Sequence, residues 1–200
     1  MKFPNASGYR LLDRLTFRMV LNRIYDLAYR LRNDLFEIEG SEYEQHKLNR
    51  LIGVIRQRRY KTVLDVGCGI GILAEKISPF CQQIIGIDFS PKAISLAEKR
   101  CKNLENVSFL ERDIRTFDFQ GDYDLVIFSE VLYYLEDRFI ERIVHRLKKN
   151  LPDSARIIIV DRAEDSYSVS KFKREFQLME RIEERNWFRP FAITWFEIGK

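Results

Sequence analysis

The chain has 200 residues, 46% of them hydrophobic and 13% aromatic, with a formal net charge of +4. That length and composition suit one domain with a full core and an appended segment, and no apolar run approaches the ~20 residues of a membrane-spanning helix. Three cysteines (Cys68, Cys81, Cys101) without a framework spacing, two distant histidines (His46, His145) and an N-terminus lacking a signal-peptide core argue against a disulfide scaffold and a zinc site, and for the cytoplasm.

The charge is uneven. Residues 1–61 hold 13 Lys/Arg against 7 Asp/Glu, whereas the remainder holds 21 against 23. Interspersed acids make this flank read as the solvated faces of two helices ahead of a nucleic-acid surface. In that flank Leu12, Leu15, Met19, Ile24, Leu27 and Leu31 recur at a helical period over 9–32. Ser41-Glu42-Tyr43-Glu44 is a capping box, with Ser41 accepting from first-turn amides and Glu44 reaching back. It opens a second helix with Leu48, Leu51, Ile52 and Ile55 on one face, ending in Arg56, Arg58 and Arg59, the sign a helix C-terminus prefers.

From residue 62 the pattern alternates. Strand 62–66, helix 71–78, strand 83–88, helix 91–102 behind the Ser90-Pro91 cap, strand 107–111, strand 123–128, helix 137–149 and strand 156–160 follow in order. Short apolar runs separated by helices are what a parallel sheet covered on both faces requires. Residues 171–182 read as helix passing into strand, and 191–198 as a strand whose short connection allows only an antiparallel hairpin at the sheet edge. The expected division is a helical segment over 1–60 and an α/β domain over 61–200.

The chemistry centres on Val63-Leu64-Asp65-Val66-Gly67-Cys68-Gly69-Ile70-Gly71, a buried strand running into a glycine-rich turn. Glycines let backbone amides and a helix N-terminus come close to a ligand. A dinucleotide fingerprint wants Gly-x-Gly-x-x-Gly, but position 72 is isoleucine and the spacing here is Gly-x-Gly-x-Gly. Asp88 closes the second strand, where a carboxylate either accepts both ribose hydroxyls of a nucleoside or serves the Ser90-Pro91 turn. Asp113, with the amide of Ile114, either meets an adenine edge or makes a plain turn. Ser129 and Glu130 follow strand 123–128, at the end of the sheet where α/β proteins bind ligands, and Tyr43 and Lys47 stand one helical turn apart.

The segments Val63–Gly71, Ile85-Gly86-Ile87-Asp88-Phe89-Ser90-Pro91, Val107-Ser108-Phe109-Leu110-Glu111-Arg112-Asp113-Ile114 and Tyr123–Leu135 resemble successive motifs of class I S-adenosylmethionine-dependent methyltransferases. Within that superfamily, Ser129-Glu130-Val131-Leu132-Tyr133-Tyr134-Leu135, with Asp34-Leu35-Phe36 and Tyr43-Glu44-Gln45-His46-Lys47, is similar to the nodulation protein S branch, which N-methylates the amino sugar of a chitooligosaccharide. Asp34-Leu35-Phe36 stands where that branch more usually has Asp-Pro-Trp, and Pro152-Asp153-Ser154 where many methyltransferases have a Pro-Gly-Gly-type turn. The resemblance implies a Rossmann-like seven-stranded, mostly parallel sheet with one antiparallel edge hairpin and helices on both faces. Phe17, Met19, Val20, Tyr25 and Tyr29 give the N-terminal helix more apolar surface than one face needs, so the expectation is a lid over the cofactor or a surface buried in a partner.

It also implies roles. Gly67, Gly69 and Gly71 approach the methionine part of S-adenosylmethionine, with Asp65 supporting the loop or the amino group. Asp88 holds the ribose, Phe89 packs near the adenine, Asp113 and Ile114 meet its edge, and Tyr43 and Lys47 face the cofactor, Lys47 toward its carboxylate. Because the sulfonium methyl is already activated, the protein has mainly to align a nucleophile and exclude water. Glu130 is the candidate proton acceptor, with Tyr133 or Tyr134 positioning the substrate; the alternative is that Glu130 caps a helix and both tyrosines pack. The expected activity is methylation of a small-molecule amine or hydroxyl, with no metal and no membrane partner. An RNA or protein methyltransferase and a binding protein without turnover compete with it. No Asn-Pro-Pro-Tyr-like motif follows the fourth strand, which counts against nucleic acid. Oligomeric state stays open.

Overall fold

The structure, a computed structural model, describes Leu27, residues 39–164 and residues 167–199. The helix expected over 9–32 and the Asp34-Leu35-Phe36 segment therefore lie outside the described residues, apart from Leu27, which is helical and exposed. Among the described residues no helix is long and apolar enough to cross a membrane.

The elements in chain order are α1 (Glu42–Ile55), β1 (Tyr60–Val66), α2 (Ile72–Ile77), β2 (Cys81–Asp88), α3 (Pro91–Arg100), β3 (Val107–Glu111), β4 (Leu125–Ser129), α4 (Asp137–Asn150), β5 (Arg156–Arg162), α5 (Tyr167–Lys173), β6 (Gln177–Glu184) and β7 (Phe191–Glu197). Seven strands form one sheet in the order β3-β2-β1-β4-β5-β7-β6. The pairs among β1 to β5 are parallel, and β7 runs antiparallel to both β5 and β6. One strand is thus reversed, at the edge hairpin where the short connection put it.

The centre of the sheet is buried on both faces, and its side chains alternate between two cores, as the period of two demands. Leu125 and Ile127 of β4, with Ile158 and Val160 of β5, join the core covered by α1, α2 and α3. Val126, Phe128, Ile157 and Ile159 join the one covered by α4 and α5. On β1 the same alternation sends Val63 to the first core and Leu64 and Val66 to the second, so Asp65 shares the face of Val63. Helix α4 contributes Phe139, Ile140, Ile143, Val144 and Leu147, the stripe the sequence indicates, each worth about 1.5–3 kcal/mol of burial.

The differences from expectation are at boundaries. Helix α1 closes at Ile55, where the Arg56 amide bonds back to Ile52, so Arg56, Arg58 and Arg59 follow the helix instead of completing its last turn. Strand β1 starts at Tyr60 because that ring is buried and its backbone already pairs with Cys81. Strand β4 starts late, at Leu125, after Asp124 has turned its carboxylate to the amides of Lys61 and Thr62 at 2.8 and 2.9 Å. The expected helix-to-strand passage over 171–182 resolves into α5, which begins earlier, and β6. Strand β6 is the outer strand; its register shifts between Leu178 and Glu180, and Leu178 and Met179 are exposed, which blurs the alternation a strand usually shows.

Candidate active site

The carboxyl ends of β1, β2 and β4 converge on the glycine turn. Gly67, Gly69 and Gly71 all have positive φ, at 75°, 52° and 78°, a region closed to most side chains. The turn is tied to β2: the Gly67 and Cys68 amides donate to the Ile87 carbonyl at 2.8 and 3.0 Å. It also lies against the end of β4, since a Cβ on Gly67 would stand 3.0 Å from Val131 Cγ2. Gly71 hands over to α2, where the Glu75 amide bonds to its carbonyl. A Cβ on Gly71 would come within 2.9 Å of Phe109 Cζ, and one on Gly86 within 2.6 Å of Phe109 Cδ1. Phe109 thus fills the space beneath the turn that two missing side chains leave. Gly86 reads from sequence as an ordinary strand residue; only its spacing opposite a large aromatic on the next strand hints at this.

Two carboxylates stand behind the turn. Asp88 accepts from the Ser90 amide with one oxygen (2.9 Å) and from the Gly69 amide with the other (3.1 Å). It therefore both anchors the Ser90-Pro91 turn and braces the glycines, and the carboxylate keeps acceptor capacity for a further donor. Burial raises its pKa, with the amides of Ser90, Gly69 and Phe89 pulling the other way. Asp65 is more extreme. It is 2% exposed, Oδ2 has no hydrogen-bond partner among the described residues, and burial, reinforced by the Asp88 charge, pushes its carboxyl up to about 7. A buried, unsatisfied acid needs an explanation, and a cationic group in the turn would supply one.

Asp113, expected at an adenine edge, follows β3. Its carboxylate is held by Arg115, with Nε at 2.7 and 2.8 Å from the two oxygens and Nη2 closer still, and it also accepts the Arg115 amide. Ile114 packs against the second core, and Phe89 is half-buried at the end of β2.

At the end of β4 the structure brings together groups that the sequence keeps far apart. Ser129 closes the strand opposite Val160, and the Glu130 amide continues the ladder to the Val160 carbonyl at 2.9 Å. Glu130 itself has φ 57°, a conformation uncommon for glutamate that costs of order 1–3 kcal/mol and concentrates at functional sites. A 3₁₀ turn over Leu132–Tyr134 then folds Tyr133 back, and its hydroxyl donates to Glu130 Oε2 at 2.6 Å. Tyr134 is exposed with its ring 4.5 Å from that of Tyr133, and the Arg162 guanidinium lies over the Tyr133 ring at 5.1 Å. Burial, and then the adjacent Glu130 carboxylate, hold the Tyr133 hydroxyl well above its ordinary pKa, so it stays a donor.

Lys47 reaches this group from α1. It is 8% exposed, and Nζ lies 2.8 Å from Glu130 Oε1 and 2.9 Å from Glu44 Oε2. Burial alone would lower its pKa; the Glu130 and Glu44 carboxylates outweigh that and hold the ammonium charged. Lys47, expected to face a cofactor carboxylate, is thus engaged by two carboxylates of the protein itself. Glu44, expected to reach back to Ser41, turns along the helix to Lys47, while Ser41 Oγ still accepts the Glu44 amide at 3.4 Å. Tyr43 does share Lys47's face: its ring lies 4.9 Å from Nζ and packs among Trp187, Phe188 and Phe191. The aromatic partners from the β6–β7 turn went unseen in the sequence. Among the described residues no cluster of His, Cys, Asp and Glu could hold a metal ion.

Comparison with known proteins follows this geometry. A sequence model described as nodulation protein S (NodS) matches residues 22–164. Nodulation protein S of Sinorhizobium fredii is 31% identical over 138 residues, covering 67% of this chain and 64% of that protein. Ribosomal protein L11 methyltransferase of Thermotoga petrophila is 32% identical over 133 residues, covering 63% of this chain and 47% of that protein. The chain thus spans less than two thirds of either relative's length. The crystal structure of N-methyltransferase NodS from Bradyrhizobium japonicum WM9, in complex with S-adenosyl-L-homocysteine, superposes with a TM-score of 0.79 at 20% identity, over 88% of this chain and 97% of that one. At that identity it is the fold that is shared.

Proposed function

The chain belongs to the nodulation protein S family, and from that premise we propose that it transfers a methyl group from S-adenosylmethionine to an amine of a small molecule, an amino sugar being the first candidate. The observation that carries this reading is Glu130, a carboxylate in a strained backbone conformation beside the glycine turn, with one oxygen on Lys47 and the other on Tyr133. Three features fit the cofactor: glycines in positive φ at the turn, Asp88 with acceptor capacity beside it, and the orphaned Asp65 oxygen, which suits the ammonium of a methionine moiety. In this reading α1 covers the cofactor end of the sheet.

S-adenosylmethionine supplies an electrophilic methyl on a sulfonium, ready for an in-line nucleophile. The protein's own part is to orient the acceptor and manage its proton. An amine enters mostly as an ammonium, which the Glu130 carboxylate attracts and from which it takes a proton, freeing the nitrogen lone pair. Lys47 and Tyr133 each donate to Glu130, so they fix the direction of its remaining lone pairs. A hydroxyl gives up its proton far less readily than an ammonium, which favours nitrogen.

The test is transfer of labelled methyl from S-adenosylmethionine to a panel of amino sugars, simple amines, matched alcohols and a lysine-bearing peptide, with Glu130→Gln as the comparison. Amines should be labelled, and the variant should lose roughly 10²–10⁴ in kcat while binding the cofactor as before. Full turnover by Glu130→Gln would refute its role. A protein amine is the second reading, favoured by the identity to ribosomal protein L11 methyltransferase; labelling confined to the peptide would select it.

A further inference from the structure

Resting on the methyl-transfer reading, we infer that Phe188 is a specificity-determining residue: the β6–β7 turn holds its ring as a platform on which a flat apolar face of the acceptor stacks while the acceptor nitrogen reaches Glu130. Phe188 is 77% exposed, well above Tyr134 at 48% and Met179 at 43%. A scattered exposed hydrophobic residue is ordinary, but this one rests on another ring in a turn that is itself anchored. Its ring lies 5.5 Å from the Tyr43 ring, and the Arg189 guanidinium stands 5.2 Å from it. Its neighbour Trp187 packs on Tyr43 at 5.6 Å and on His46 at 5.1 Å. The turn is secured on one side by Glu184, which meets Arg50 at 2.8 Å and His46 at 3.8 Å, and on the other by the Ala163 amide donating to the Pro190 carbonyl at 3.0 Å.

Phe191, just past the turn, pairs with Arg162, so the turn stands at the carboxyl end of β5, the end of the sheet that carries Glu130. From the exposed ring inward the contacts are continuous: Phe188 to Tyr43 at 5.5 Å, Tyr43 to Lys47 Nζ at 4.9 Å, Lys47 to Glu130 Oε1 at 2.8 Å. Glu130 and the exposed Phe188 ring thus stand at the two ends of one run of contacts. That combination suits an amine borne on a ring, whether an aromatic ring or the apolar face of a sugar, and offers little to an acyclic amine.

The experiment compares the full chain with Phe188→Ala and Phe188→Trp, using glucosamine, benzylamine and butylamine as acceptors with labelled S-adenosylmethionine. Ring-bearing acceptors should show a KM raised roughly ten- to hundredfold in Phe188→Ala, with kcat and the KM for S-adenosylmethionine unchanged and Phe188→Trp close to the original chain. Stronger response to glucosamine or to benzylamine distinguishes a sugar from an aromatic face. An equal rise for butylamine, an unchanged KM for every acceptor, or a lowered melting temperature with a raised cofactor KM would each overturn the platform. Titration of the same amines against tryptophan fluorescence runs alongside, because Trp187 adjoins the ring. Saturable quenching lost in Phe188→Ala supports the platform even where no acceptor is methylated, whereas no quenching by ring amines overturns it; absence of methylation of all three acceptors overturns the small-molecule methyl-transfer reading alone.

Discussion

Replacing Asp65 by asparagine tests the reason for the orphaned acid. The folded protein holds this carboxyl near 7, against 3.8 for the ordinary group, because burial and the Asp88 charge oppose its ionisation. Between those two values the folded state keeps a proton that the unfolded chain has lost, so stability falls as pH rises through the window. At about 1.36 kcal/mol per pH unit the full penalty is about 4 kcal/mol, and about 3 kcal/mol of it develops between about pH 5 and about pH 8. Asparagine has nearly the same shape and does not ionise, so Asp65→Asn removes this slope. Guanidinium chloride unfolding of both proteins at the two pH values measures it: the original chain should lose about 3 kcal/mol more than the variant on going from about pH 5 to about pH 8. Equal losses would mean that Asp65 is not titrating in this window. Adding S-adenosylmethionine at the higher pH extends the test. An ammonium beside Asp65 relieves the penalty, so the cofactor should stabilise the original chain more than Asp65→Asn. Equal stabilisation would place the amino group elsewhere.

Two further substitutions probe what holds the site together. Lys47→Met leaves the Glu44 and Glu130 carboxylates facing each other without their shared counter-ion and should cost about 3–5 kcal/mol, part of it restored by Glu44→Gln in the same chain; a loss below about 1 kcal/mol in chemical denaturation would show that solvent screens the pair. Gly86→Ala drives a Cβ to 2.6 Å from Phe109 Cδ1 and 3.0 Å from Cys68 Cβ, and should cost about 1–3 kcal/mol. Trimming Phe109 to leucine should recover part of that cost, and strict additivity of the two changes in a double-mutant cycle would show that they do not share the space.

The parts of the fold that are legible in the sequence are those with local causes. Strand β3 and the start of α3 are found where they are expected, because a short apolar run and a Ser-Pro cap carry their own signals. The glycine turn is legible because three closely spaced glycines mark a backbone that takes positive φ repeatedly, where a Cβ is strained. The Lys47–Glu130 contact is not, since the two residues meet only after the chain has crossed between α1 and the far end of β4. Asp113 shows the same limit from the other side: its place after β3 is clear, but its pairing with Arg115 depends on a side-chain choice that position alone leaves open. The exposed Phe188 carries no periodic signal in a short connection and acquires meaning only from the ring of Tyr43 beneath it.

That contact has a consequence for how the protein is made. Tyr43 opens the described helical flank, yet its ring packs on Trp187 and Phe191, which lie in and just past the last turn of the sheet. Contacts so remote in sequence form only after the intervening chain is ordered, because closing a long loop costs entropy before the contact repays it. During synthesis the parallel half of the sheet has its partners well before the final hairpin leaves the ribosome. The wall that carries Tyr43 is therefore finished last. A nascent or C-terminally shortened chain can own every glycine and carboxylate of the cofactor end and still lack the rim against which an acceptor would rest.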